Sequence, residues 1–442
     1  MKTPIVDFVR KYAKERNSRL HMPGHKGKGF LGAEKWDITE ISGADSLYEA
    51  QGIIRTSELN ASKLFGTGAT FYSTEGSSQC IKAMLQLAVS HKETGKSNTV
   101  LAARNAHKAF LHAAALLDFE ISWIYPKEFT SLCSCAVTAE ELEESLQKLE
   151  LPPAAVYITS PDYLGGMCDI KALADVCHKN GTLLIVDNAH GAYTHFLEES
   201  CHPMDFGADM CCDSAHKTLP VLTGGAYLHI SKNLDNSFRE NAKNALAMFG
   251  STSPSYLILA SLDYCNKYLN SGYAERLKKC VLRLNSLKEK LEEKGIEVIK
   301  SDPLKLTVSG EEDMRIVAKT LEKQGVCCEY ADKDFLVMMF TPSNRKRDFK
   351  RVPKGLANLK PSAKEKNAAC LSAPQKAMSV RQAYFSKNET VPVSEAVGRV
   401  CACPTVSCPP AIPIVISGEV IGEKEIELFK TYAIDTVSVV KE

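Results

Sequence analysis

The sequence predicts an α/β protein, with a large layered domain on a mostly parallel sheet and a smaller α+β domain after it. Three observations carry that prediction. From Ala61 onward, helix-like and strand-like segments alternate. Residues 183–186 are apolar without a break before Asp187, the pattern of a strand buried on both faces of a parallel sheet. A chain of 442 residues also exceeds what one ordinary core holds.

The elements follow in order. Residues 1–60 read as an amino-terminal arm, a short helix and then His21-Met22-Pro23-Gly24-His25-Lys26-Gly27. Residues 61–270 read as the large domain, with helical patterns at 81–89, 107–117 and 170–180 and strand patterns at 99–102, 155–159 and 183–187. From 255 to 290 a long helical stretch, apolar at Leu257, Ala260, Leu262 and Leu269, leads into a second domain over 271–442. That domain is expected to hold strands at 304–308 and 335–340. Residues 345–371 are charged, contain proline and are poor in apolar side chains, which predicts a loop or linker. The tail segment Cys408-Pro409-Pro410-Ala411-Ile412-Pro413 is too rich in proline for a helix or a central strand.

Composition narrows the partners. The net charge is +1, so no general attraction to nucleic acid or anionic lipid is expected. The basic run Asn344-Arg345-Lys346-Arg347 reads as a solvated loop. No apolar run approaches the ~20 residues that span a bilayer, and the first residues lack the apolar core of a signal peptide. A cytoplasmic location is therefore expected. Cys133-Ser134-Cys135, and Cys401-Ala402-Cys403 with Cys408, lack paired metal-ligand spacing and a histidine cluster, so no metal is expected. The sixteen cysteines read as reduced thiols.

Four segments carry candidate chemistry. Phe71-Tyr72-Ser73-Thr74 leads through Glu75 and Gly76 to Ser77-Ser78 and an apolar helix. Free amides, hydroxyls and a helix dipole there would make an anion site, or an ordinary capped helix start. His107 stands at another strand-to-helix junction, as a packed or capping residue or stacked on a flat cofactor. Asp187 ends an apolar strand, where open α/β sheets bind ligands, and a capping role is the alternative. Lys217 follows the strand-like 209–214, between Ser214, His216 and the glycines 224 and 225. A lysine in semi-apolar surroundings is costly unless paired or chemically used, and burial near other cations makes its amine a nucleophile. Phosphate turn, histidine, strand-end aspartate and lysine, in that order, match a fold-type-I pyridoxal-phosphate enzyme.

Longer motifs narrow the match. His21-Met22-Pro23-Gly24-His25-Lys26, Asp37-Ile38-Thr39-Glu40 with Gly43 and Asp45, and Thr159-Ser160-Pro161-Asp162-Tyr163 with Gly165 come first. Asp187-Asn188-Ala189-His190-Gly191, Ser214-Ala215-His216-Lys217-Thr218-Leu219 and Ser251-Thr252-Ser253-Pro254-Ser255-Tyr256 follow, with Glu395-Ala396-Val397-Gly398-Arg399 and Pro409-Pro410 in the tail. With these, over nearly its whole length, the chain resembles the Orn/Lys/Arg decarboxylase family, in a short form without the N-terminal response-regulator-like domain of the large members. The resemblance implies an aspartate-aminotransferase-like fold and pyridoxal 5'-phosphate as cofactor. It implies that Lys217 binds the cofactor aldehyde, Asp187 pairs with the pyridine nitrogen, His107 stacks on the ring and Ala189 lies nearer the other face. Gly76, Ser77, Ser78, Ser214 and His216 would hold the phosphate, with Ser251 or Thr252 reaching it from a neighbouring subunit. His190 or Lys217 would be the proton donor. A homodimer or tetramer with shared active sites is expected.

The implied reaction is α-decarboxylation of a basic amino acid, arginine or lysine before ornithine, giving agmatine, cadaverine or putrescine and CO2. Another fold-type-I activity, aminotransferase or lyase, and a non-catalytic relative that binds a partner are the alternatives. The chain departs from the family where Glu75 replaces an asparagine, where Gln79-Cys80 replace two small residues, and where Ala411 replaces a glycine after Pro409-Pro410.

Overall fold

The computed structural model describes residues 1–125, 131–361, 374–404 and 411–441. The chain divides into two compact units, one of residues 1–94 and 177–277 and the other of 95–176 and 278–442. Seven strands are divided between them: β1 Ala69–Ser73, β2 Thr99–Ala103, β3 Glu120–Ile124, β4 Ala155–Thr159, β5 Leu183–Asp187, β6 Met210–Asp213 and β7 Ala226–Ile230.

In the first unit the strand order is β1-β7-β6-β5. β5 and β6 are parallel, with Asp187 opposite Cys212, whereas β7 is antiparallel to both β6 and β1. All of β1, β6 and β7 is buried, and Ile185 and Val186 of β5 are fully buried. This agrees with the continuous apolar run: an aliphatic side chain so placed contributes about 1.5–3 kcal/mol. The amino-terminal segment belongs to this unit. Helix Pro4–Lys14 has proline at its start, where a missing N–H costs nothing, and Ile5 and Val9 pack inward. Its first amides, of Ile5 and Val6, donate to the buried carboxylate of Asp263 at 2.9 and 3.0 Å. The carboxylate of Asp45 likewise accepts the amides of Gly52 and Ile54 at the start of helix Ile53–Leu64.

In the second unit β4-β2-β3 are all parallel. The same unit holds an antiparallel sheet of β8 Glu297–Ile299, β9 Lys305–Ser309, β10 Tyr330–Ala331 and β11 Phe335–Met339, in the order β10-β11-β9-β8. A third sheet joins β12 Asn388–Pro392, β13 Cys401–Cys403 and β14 Thr436–Val440 in the order β12-β14-β13. The strands expected at 304–308 and 335–340 are thus β9 and β11. Among the described residues, no helix is long and apolar enough to cross a membrane.

Two expectations are corrected. The long helical stretch from 255 to 290 is two helices, Tyr256–Leu269 and Tyr273–Glu292, separated by Asn270, Ser271 and Gly272, the last at φ +68°. The loop expected from 345 begins with helix Lys346–Gly355, and Lys346 and Arg347 of the basic run are exposed in its first turn. Phe349 and Val352 supply its buried stripe, and the Asp348 carboxylate accepts the Arg345 amide at 2.8 Å. Residues 362–371 of that stretch, and Cys408, lie outside the described residues.

Candidate active site

The carboxyl ends of β5 and β6 lie side by side, and Asp187, His190 and Lys217 stand at them. Asp187, 3% exposed, accepts the Ala189 amide at 3.2 Å and the Cys212 thiol at 3.5 Å, both on Oδ1. After Asp187 the chain turns, closed by the Gly191 amide on the Asn188 carbonyl at 2.8 Å. That turn brings buried His190 back toward the lysine: its Nε2 is 3.0 Å from Lys217 Nζ. Lys217 sits on the single helical turn Ala215–Thr218, which directly continues β6, and is half-buried. An amine and an imidazole at this separation can pass one proton between them.

A second cluster forms beside it. Gly76 has φ +71° and ψ −178°, a conformation essentially reserved for glycine, and it opens helix Ser77–Ser90 without a side-chain cap. The helix start therefore presents backbone N–H groups and the positive end of its dipole. The Ser214 hydroxyl donates to Ser77 Oγ at 2.8 Å, which joins the turn after β1 to the turn after β6. A Cβ on Gly76 would meet Cε1 of His216 at 3.9 Å, so the imidazole lies against the same turn. His216 donates from Nδ1 to the Gly225 carbonyl at 3.0 Å. Burial pushes its pKa down, and the nearby Lys217 charge adds to this against the Gly225 bond. Its other nitrogen then becomes a donor only when the ring is protonated, which a bound anion favours.

Ser251 and Thr252 are exposed, and Ser251 Oγ accepts the Ser253 amide at 3.1 Å. His107 lies in the second unit, where it is the N-cap of helix Lys108–Leu117 and its Nδ1 accepts the Ala109 amide at 3.1 Å. Ser78 is half-exposed in the first turn of its helix. The departures in the glycine turn have structural roles. Glu75 points to solvent. Gln79, 1% exposed, accepts from the Ser73 hydroxyl at 2.6 Å and donates to Tyr48 and to the Leu246 carbonyl, both at 2.8 Å. Cys80 is fully buried.

Sequence reasoning missed Cys212, Asp213 and Asn188. Asp213, fully buried, accepts the Asn188 side-chain amide at 2.7 Å on Oδ1. On Oδ2 it accepts Nε2 of His202 and of His229, each at 3.1 Å. Burial opposes its charge, but the two imidazoles hold the carboxyl well below the usual carboxylate range. No local spacing announces this cluster, because its members come from β6, β7 and two separate turns.

The donor set fits pyridoxal phosphate. A nucleophilic amine, a buried carboxylate and a glycine-cradled helix start with two hydroxyls match its aldehyde, its ring nitrogen and its phosphate.

Comparison with known proteins agrees with this fit. The family model "Orn/Lys/Arg decarboxylase, major domain" matches residues 3–308, and "Orn/Lys/Arg decarboxylase, C-terminal domain" matches 363–433. The chain is 29% identical to an arginine decarboxylase of Bacillus subtilis, over 97% of this chain and 93% of that protein. It is 28% identical to an arginine decarboxylase of Halalkalibacterium halodurans, over 96% and 92%. Among solved structures it resembles the lysine decarboxylase of Francisella novicida with a TM-score of 0.81 at 18% identity, covering 99% of this chain and 81% of that one. The E. coli constitutive lysine decarboxylase gives 0.78 at 20% identity, over 100% and 82%. These two structures share its fold.

Proposed function

The chain belongs to the Orn/Lys/Arg decarboxylase family, and we propose that within it the enzyme removes the α-carboxylate of arginine at a site built on Lys217 and Asp187. The enzyme is a pyridoxal-phosphate-dependent decarboxylase of a basic amino acid. Arginine is favoured because the relatives aligned over nearly the full chain include arginine decarboxylases. The constitutive lysine decarboxylase of Escherichia coli aligns over 62% of it, at 25% identity.

When bound, the cofactor supplies an electron sink for the pair released as the carboxylate leaves as CO2. Each residue of the chain has a separate task. Lys217 would hold the cofactor through Nζ. Asp187 holds a negative charge for the ring nitrogen, steadied by the Ala189 amide and the Cys212 thiol. Ser77, Ser78, Ser214, His216 and the amides after Gly76 bind the phosphate. His190 and Lys217 share the proton that Cα requires after CO2 has gone. The observation that carries this assignment is the 3.0 Å separation of Lys217 Nζ and His190 Nε2 at the same strand ends as Asp187.

The enzyme acts as a homo-oligomer, with the exposed Ser251 and Thr252 available to a second copy's phosphate. It works in the cytoplasm, where the many thiols that are free in the structure stay reduced. The test of substrate is direct. Purified protein with pyridoxal phosphate is incubated separately with arginine, lysine and ornithine, and the amine is identified. Agmatine with an equal amount of CO2 is expected. Cadaverine or putrescine as the main product would overturn arginine, and no amine from any of the three would overturn the decarboxylase itself.

A further inference from the structure

Three consecutive residues at the end of β6 each hold a different part of the site. Cys212 donates its thiol to Asp187, Asp213 accepts the side-chain amide of Asn188, and Ser214 donates to Ser77. Asn188 is held from a second side as well, because its backbone amide donates to the Cys212 carbonyl at 3.0 Å. It directly follows Asp187 and opens the turn that carries His190. What anchors Asn188 is a charge.

That charge is unusually well supported for a fully buried carboxylate. His229, opposite Cys211 in the β6–β7 register, gives Nε2 to Asp213 and has Nδ1 at 2.8 Å from the Thr70 hydroxyl. His202 gives its Nε2 and takes the Met204 amide on Nδ1 at 3.3 Å. Both imidazoles pack on Phe65, with ring centroids 4.7 Å (His229) and 5.7 Å (His202) away. Other titratable groups near Asp213 include the thiols of Cys80, Cys211 and Cys212 and the phenol of Tyr227. Burial, with this anion adding to it, pushes each of these upward and keeps it neutral. A buried anion fully supplied with donors fixes its partners more firmly than neutral contacts do.

We propose that Asp213, hydrogen-bonded by His202 and His229, is a positioning residue that sets the orientation of Asp187 and His190 through Asn188. The inference rests on the assignment of Asp187, His190 and Lys217 to the cofactor site. Asp213 touches neither cofactor nor substrate in this account.

The test compares wild type, Asp213→Asn and Asn188→Ala, each loaded with pyridoxal phosphate. Asp213→Asn removes the charge at constant size, and Asn188→Ala removes the contact that transmits it while leaving the charged cluster intact. The readouts are the pH midpoint of the visible absorbance, the cofactor Kd, and kcat and KM separately. Both variants are expected to fall roughly tenfold or more in kcat with KM within about twofold, and to move the absorbance midpoint by about half a pH unit or more. Variants matching wild type in midpoint and kcat, with only thermal stability lowered, would overturn the inference and leave the site assignment standing. If Asp213→Asn does not fold, an unshifted midpoint in Asn188→Ala overturns it alone. Wild-type protein that never takes up the cofactor colour would overturn the assignment and the inference together.

Discussion

Lys217 and His190 meet across two turns, Nζ to Nε2 at 3.0 Å, although 27 residues separate them in sequence. β5 and β6 are parallel neighbours in register, so residues two to four positions past their carboxyl ends face one another. The sheet therefore brings the imidazole and the amine to the same rim. Replacing it should affect proton transfer more than cofactor capture. His190→Gln is expected to lower kcat roughly 100-fold or more while the cofactor Kd changes little. Steady-state kinetics beside a cofactor titration checks this, and a variant with full kcat would remove His190 from the reaction.

Gly76 offers a test of the anion cradle. Its backbone lies in a region that residues with a Cβ enter at a cost of about 1–3 kcal/mol. Space is not the obstacle, since the nearest atom to an added Cβ is 3.9 Å away. Gly76→Ala should therefore lower thermal stability and weaken cofactor binding together, because the turn can relax only by moving the helix start. Unchanged affinity in a destabilised Gly76→Ala would show that this turn does not bind the phosphate.

Ala411 presents the opposite case. It occupies φ +60°, where a Cβ is disfavoured, and its carbonyl accepts the Lys108 amide at 3.0 Å. The family resemblance places a glycine here. Ala411→Gly removes the strain but loosens the unfolded chain, leaving a net gain of about 0.5–1 kcal/mol. Denaturant unfolding measures it directly. A loss of stability would mean that the methyl group's packing outweighs the backbone strain.

The residues with the clearest chemistry were legible because strand ends are legible. Asp187 closes an apolar run, and Lys217 follows a second one, so both fall on the rim where ligands bind. Gly76 and the serines after it were readable as a turn into a helix. Asp213 was not, because its partners His202 and His229 reach it through strand pairing and a distant turn. Helix Lys346–Gly355 was hidden by its charge and by Pro353, and Phe349 and Val352 are the two side chains it buries. The break at Asn270–Gly272 was hidden for a related reason: apolar spacing continues on both sides of it. His107 was read as either a cap or a stacking residue, and the cap is present in its own unit.

Chemical trapping tests directly whether Lys217 is the lysine that binds the cofactor. The enzyme is loaded with pyridoxal phosphate, reduced with borohydride to fix the lysine–cofactor linkage, digested, and mapped by mass spectrometry. One modified site is expected, on the peptide containing Ser214-Ala215-His216-Lys217, with no modification or visible absorbance in Lys217→Ala. A pyridoxyl group on a different lysine, or a coloured and active Lys217→Ala, would contradict it.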